Sequence, residues 1–324
     1  MNQKELPLKF EEIRTFGKVF SDTRKLIREN FVIFFKTILF LVGPFALLTC
    51  SMHAFYEVKI IGPNSDFEWT HLGSYIASKT ILSQLKWVLN GSVTAMVVGH
   101  FIKVYRQKGP GKFEVHDITR SIFADFGGTL LTLLLVILVP TLIGIVAAAL
   151  LYGFSEMSLG TGVFMIFLGY IGYFLCRFPF WFLMYSTFVS KYSEDEKLNA
   201  FEALRFSASI LKGNWWSTWV IFFCMWALLL ALGGMISLPA TILSWIAGLS
   251  AMDPTKNMDI DWVLVNAILV AVGEFAKTMI YSVFAATIAV HFYSLKEKKD
   301  GKGTFSMIES IGKNKDDDNI ELTY

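Results

Sequence analysis

The chain has 324 residues, of which 54% are hydrophobic, 15% aromatic and only 17% charged, with a mean hydropathy of +0.51. That composition excludes an ordinary soluble globular domain and fits a multi-pass membrane protein. The formal net charge of +2 gives no electrostatic case for a nucleic-acid partner.

Residues 1–30 contain no apolar core of a signal peptide. Within them Ile13, Phe16, Val19, Phe20, Leu26 and Ile27 recur at helical spacing among Arg14, Lys18, Arg24, Lys25 and Arg28, the pattern of an amphipathic helix lying in a membrane interface. Six apolar stretches follow, each long enough to span a bilayer: Phe31 to Met52, Tyr75 to Tyr105, Gly127 to Tyr152, Leu159 to Ser190, Trp215 to Leu249 and Trp262 to Leu295. Gly43-Pro44 is expected to bend the first, and Gly233-Gly234 with Pro239 to break or kink the fifth. Gly62-Pro63-Asn64-Ser65 reads as a turn. Two more amphipathic helices are expected before the third and fifth spans. One carries Val115, Ile118, Ile122 and Phe126, and the other Leu198, Phe201, Leu204 and Leu211. Residues 296–324 form a hydrophilic tail, in which 304–312 has the capping and spacing of one short helix.

Lys and Arg number seven in residues 1–30, five in 103–126, four in 191–214 and six in 292–324, whereas the other loops hold Lys59 and Lys256 beside seven acids. This bias places both termini in the cytoplasm. The fold class is therefore an all-α membrane protein, with six transmembrane helices in three repeats of an interfacial helix and two spans. The units run over about 9–108, 113–192 and 197–298 within a membrane domain of 31–295. Aligned, the three inward spans read Lys86 to His100-Phe101, Arg177 to Lys191-Tyr192 and Lys277 to His291-Phe292, with equal spacing.

Charges inside the spans carry the functional expectation, because an ionisable group in hydrocarbon is costly. Asn266, Val270, Gly273, Glu274, Lys277 and Tyr281 share a face of the last span, placing Glu274 one turn from Lys277 near mid-membrane. Lys79, Ser83, Lys86, Asn90 and Thr94 form a stripe on the second span, and Arg177 lies in the fourth. Lys86, Arg177, Glu274 and Lys277, with Asn90 and Tyr281, form the expected ligand site: three cations and one carboxylate suit an anionic headgroup or a carboxylated or phosphorylated solute. The competing expectation is a structural one, in which Glu274 pairs with Arg177 or Lys277 and Lys86 snorkels outward. His100 and His291 read as boundary residues. Cys50, Cys176 and Cys224 lack metal or disulfide spacing. No HExxH, P-loop or Ser/His/Asp arrangement is present, so no enzyme, cofactor or metal is expected. The alternative function is a membrane scaffold that docks envelope or cytoplasmic proteins through the three amphipathic helices and the tail.

The string from Ile13 to Asp22, Gly43-Pro44, His291-Phe292-Tyr293-Ser294-Leu295-Lys296-Glu297 and Ile308-Glu309-Ser310-Ile311-Gly312 resemble a family of bacterial integral membrane proteins. These are similar to the membrane domain that precedes some glycerophosphodiester phosphodiesterases. The resemblance spans nearly the whole chain. It implies a six-helix protein of the bacterial inner membrane and no catalytic residues, since the soluble phosphodiesterase domain is absent.

Overall fold

The computed structural model describes residues 8–61, 72–155, 159–192, 198–251 and 260–301. Among these residues there is no strand, and the helices in chain order are α1 (Phe16–Glu29), α2 (Phe31–Leu41), α3 (Gly43–Ile61), α4 (Leu72–Lys108), α5 (Val115–Ala124), α6 (Phe126–Ser155), α7 (Leu159–Lys191), α8 (Ala200–Leu211), α9 (Trp215–Ala251) and α10 (Ile260–Asp300). Each apolar stretch of the sequence is thus helical. By length and composition Val88–Lys108, Trp215–Pro239 and Ile268–Asp300 can each cross a membrane, and two bent pairs raise the number to five. Large side chains on the outside, such as Phe40, Leu48, Leu134, Leu138, Leu228 and Met235, are exposed, as lipid-facing surfaces require.

The first bent pair turns by 47° between Phe31–Leu41 and Gly43–Met52. Pro44 has no N–H to give to the preceding turn, so the helix yields where the sequence expects it. The second pair turns by 86° between α5 and the start of α6. Asp125, the residue between them, still bonds its N–H back to Ile122 at 3.3 Å while its carbonyl accepts from Thr129 N at 2.8 Å. In contrast, α9 runs unbroken through Gly233-Gly234 and Pro239. Of the two expected outcomes, a break or a kink, no break occurs.

The centre of the bundle is made by α4, α7 and α10, which pack on one another, with α3 and α9 against α10 and α6 against α4 and α7. Gly99 sets the α4–α7 distance: a Cβ there would lie 3.1 Å from Phe188 Cβ and 3.3 Å from its backbone, so any side chain pushes the two helices apart. Phe101, Phe182, Phe188, Phe284 and Phe292 fill this region and are fully buried.

Short helices α1, α5 and α8 cluster at the end of the bundle where α4, α7 and α10 finish. In α1, Val19 and Leu26 are buried while Phe16 is exposed, as is Ile13 just before it; in α5, Ile118 is buried. α8 departs from expectation. Its buried face is Ala200, Ala203, Ser207, Ile210 and Leu211, and Phe201 is 68% exposed. Ser190 Oγ donates to Ala203 O at 2.9 Å and Ser207 Oγ bonds Ser190 Oγ at 3.1 Å, so small residues win this face by letting α8 lie close on α7.

Residues 8–15 run over the same end as a strap. The Arg14 guanidinium, with no exposed side-chain area, pairs with Asp22 at 2.7 Å and donates to the carbonyls of Phe10 at 2.9 Å, Glu12 at 3.0 Å and Lys9. Its backbone N–H donates to Ser294 Oγ on α10 at 2.8 Å. Leu8 N–H donates to Tyr105 Oη at 3.1 Å, and the Phe10 ring packs edge-on against Tyr105 and Tyr293. The turn at 62–65, residues 193–196 and the 304–312 helix lie outside the described residues.

Candidate functional site

Glu274, on α10, bridges two helices. Its Oε2 accepts from Lys86 Nζ on α4 at 2.6 Å, and its Oε1 accepts from Lys277 Nζ one turn along α10 at 2.8 Å. The 3.6-residue period brings Glu274 over Lys277, and the packing of α4 on α10 supplies the second partner. Side-chain exposures are 10% for Lys86, 20% for Glu274 and 25% for Lys277, so the three charges are largely removed from the surface. Two ammonium groups and one carboxylate leave the cluster with one excess positive charge.

Expectation and structure differ here in one respect. Lys86 turns inward to Glu274 rather than outward, because the carboxylate within reach outweighs a longer path to water. Along α10 the helix rises about 26 Å from Glu274 to His291, beside the layer of short helices.

Beside Glu274 is a small cleft lined by Lys86, Asn90, Gly91, Thr94, Tyr185, Glu274, Thr278 and Tyr281. About 20 Å³ of it is open to the centre of a water molecule, room for one or two waters and no more. Most of its polar lining is already engaged. Asn90 and Thr49 bond each other at 3.0 Å, Thr94 Oγ1 donates to Asn90 O at 2.7 Å, and Thr278 Oγ1 donates to Glu274 O at 3.0 Å. Tyr185 is different. It is 3% exposed, it lines the cleft, and among the described residues no hydrogen-bond partner faces its hydroxyl. A hydroxyl at the cleft wall with no protein partner is left for whatever occupies the cleft. Gly91 makes its position possible, since a Cβ there would stand 3.2 Å from Tyr185 Oη and 3.0 Å from Met184 Cε.

Of the residues expected from the sequence, the structure brings together Lys86, Asn90, Glu274, Lys277 and Tyr281. Arg177 belongs to α7, but its side chain, like those of Lys79, Ser83 and Asn266, lies outside the described residues. Tyr185, Thr49, Gly91 and Thr278 were not anticipated. Tyr185 had a signal: aligned on Lys86 and Arg177, it falls at the register of Thr94, a member of the stripe on α4.

A second polar cluster lies among the short helices. His100 bonds Ser121 at 3.0 Å, Thr129 at 3.3 Å and Tyr192 Oη at 3.1 Å; Tyr192 Oη donates to Asp125 at 3.0 Å, and Lys191 pairs with Asp125 at 3.1 Å. It fastens the α5–α6 elbow to the ends of α4 and α7. Its members satisfy one another. Among the described residues no three His, Cys, Asp or Glu side chains gather as a metal would need. No family model, curated protein or solved structure matches this chain.

Proposed function

We propose that this protein is a six-span component of the bacterial cytoplasmic membrane, with both termini inside, that binds or moves an anionic lipid-like molecule or small solute without chemical change. The observation that carries this reading is the Lys86–Glu274–Lys277 bridge, with its excess positive charge, beside a cleft into which the Tyr185 hydroxyl points without a partner. Ammonium groups and a phenol are the donors that an acidic group recognises.

Two features support the three-repeat architecture. Asn30, Asp125 and Asn214 each stand between a short helix and an apolar one, followed by Phe31, Phe126 and Trp215. Each carbonyl accepts from the residue four on: Phe34, Thr129 and Thr218, at 2.7, 2.8 and 3.0 Å. The resemblance to the membrane domain that precedes some glycerophosphodiester phosphodiesterases supports the same layout. In such an orientation the short helices lie at the inner surface, among anionic lipid headgroups, and the charged cluster lies within the spans.

The test is equilibrium binding to protein in phosphatidylcholine nanodiscs, using dimethyl phosphate as a free anion and dihexanoyl phosphatidylglycerol as a lipid headgroup. Replacing both Lys86 and Lys277 by Ala is expected to weaken binding of at least one probe by tenfold or more. Equal affinity in wild type and variant refutes the site. The smallness of the cleft favours a second reading, a scaffold with a closed core that docks envelope or cytoplasmic proteins on its layer of short helices. That reading expects neither probe to bind.

A further inference from the structure

The cleft raises a question of room. Glu274 stands between the two lysines and takes one N–H from each, and the space beside it accepts water but not a second acid group. An arriving anion therefore reaches Lys86 and Lys277 only by displacing the Glu274 carboxyl. Among the described residues a displaced carboxylate finds little else to hold it. The Asn90 amide is engaged with Thr49, Thr278 gives its hydroxyl to the Glu274 carbonyl, and the free Tyr185 hydroxyl faces the space the newcomer would take. An unpartnered carboxylate in such surroundings is strongly disfavoured, whereas the neutral acid is not.

We infer that Glu274 is an internal counter-ion exchanged by protonation: it takes up one proton as the acid group of a monoanionic ligand replaces it on Lys86 and Lys277, with Tyr185 completing the new donor set. The inference rests on the reading of the cleft as an anion site and adds its coupling. The charge balance is simple. Before exchange the cluster holds two ammonium groups and a carboxylate; afterwards it holds two ammonium groups, a neutral carboxylic acid and a bound monoanion, again with one excess positive charge. The proton comes from water that reaches the cleft and returns there when the anion leaves. One proton accompanies each anion, so occupancy follows the pH of that water without a nucleotide.

The groups around Glu274 permit this assignment. Lys86 faces it from α4, Lys277 and Tyr281 from its own helix, Tyr185 from α7 and Cys50 from α3, while α9 sets Gly233 against the Lys277 stem and Ser237 beside Gly273. Ammonium, phenol and thiol groups already carry their protons, so among these the carboxylate is the one with a proton to gain on acidification.

Dimethyl phosphate and dihexanoyl phosphatidylglycerol are both suited to the test, because each keeps a single negative charge between pH 5 and 8. Binding to the wild-type protein in weakly buffered nanodiscs is expected to take up one proton per anion. Affinity is expected to fall about tenfold for each unit rise in pH once Glu274 is ionised in the free protein. In Glu274→Gln, uptake vanishes and affinity becomes independent of pH. Binding of phosphatidylglycerol alone makes the ligand a lipid headgroup, and binding of dimethyl phosphate as well makes it a free anion; the coupling is the same in both. Lysine-dependent binding with no proton uptake and a flat pH profile overturns the coupling and leaves the anion site standing. Failure of the wild type to bind either probe overturns the site and the coupling together. Proton uptake is read on the wild type, so the result does not hang on the folding of a variant.

Discussion

Glu274→Ala is expected to cost about 3 kcal/mol of stability, the lower end of what breaking a buried ion pair costs, since these groups are partly exposed. The penalty arises less from lost attraction than from what stays behind. Lys86 and Lys277 would face each other across α4 and α10 with no carboxylate between them, in surroundings that solvate a charge poorly. Glu274→Gln should cost less than half as much, because the amide oxygen still accepts from one lysine. Replacing Lys86, Glu274 and Lys277 together by Met should fall near wild type, as apolar substitutes for buried ion pairs commonly do. Denaturant unfolding in one detergent orders the four proteins. A Glu274→Ala protein as stable as wild type would mean that the bridge is not formed.

The second large effect concerns the layer of short helices. Arg14→Ala is expected to release the strap of residues 8–15 at a cost of about 3 kcal/mol, since one guanidinium serves Asp22 and three backbone carbonyls. With it go the anchors that the strap presents: Leu8 to Tyr105, Phe10 between Tyr105 and Tyr293, and the Arg14 N–H to Ser294. Arg14→Lys should not rescue the strap, because one ammonium cannot serve a carboxylate and three carbonyls in these directions. Hydrogen exchange of residues 8–15 is the readout, with rapid exchange expected in both variants and slow exchange in wild type. Protection retained in Arg14→Ala would contradict the clasp.

This clasp also explains part of what the sequence makes legible. The strings that carry the family resemblance include Arg14 and Asp22 near the start, and Tyr293 and Ser294 near the end. In the structure they meet. Helix positions were readable because runs of apolar residues this long have few alternatives, and the bend before Pro44 follows from a missing donor. The buried face of α8 was not readable from hydrophobicity. Phe201 looks like a core residue, yet Ala203 and Ser207 face α7, since close approach and hydroxyl bonds decide the contact when the outside is apolar too. The site was legible as far as one helix carries information. Glu274 and Lys277 are local neighbours, whereas the inward turn of Lys86 depends on how α4 meets α10. Tyr185 was missed because a tyrosine in an aromatic-rich helix looks like packing until its hydroxyl is found without a partner.

The most direct measurement of the central claim is mass spectrometry of the small molecules and lipids retained by the purified protein, wild type beside the double substitution Lys86→Ala and Lys277→Ala. The account predicts an anionic species that travels with the wild type and is lost from an equally folded variant. The same unselective lipids on both would contradict it and make the bridge a structural fastening.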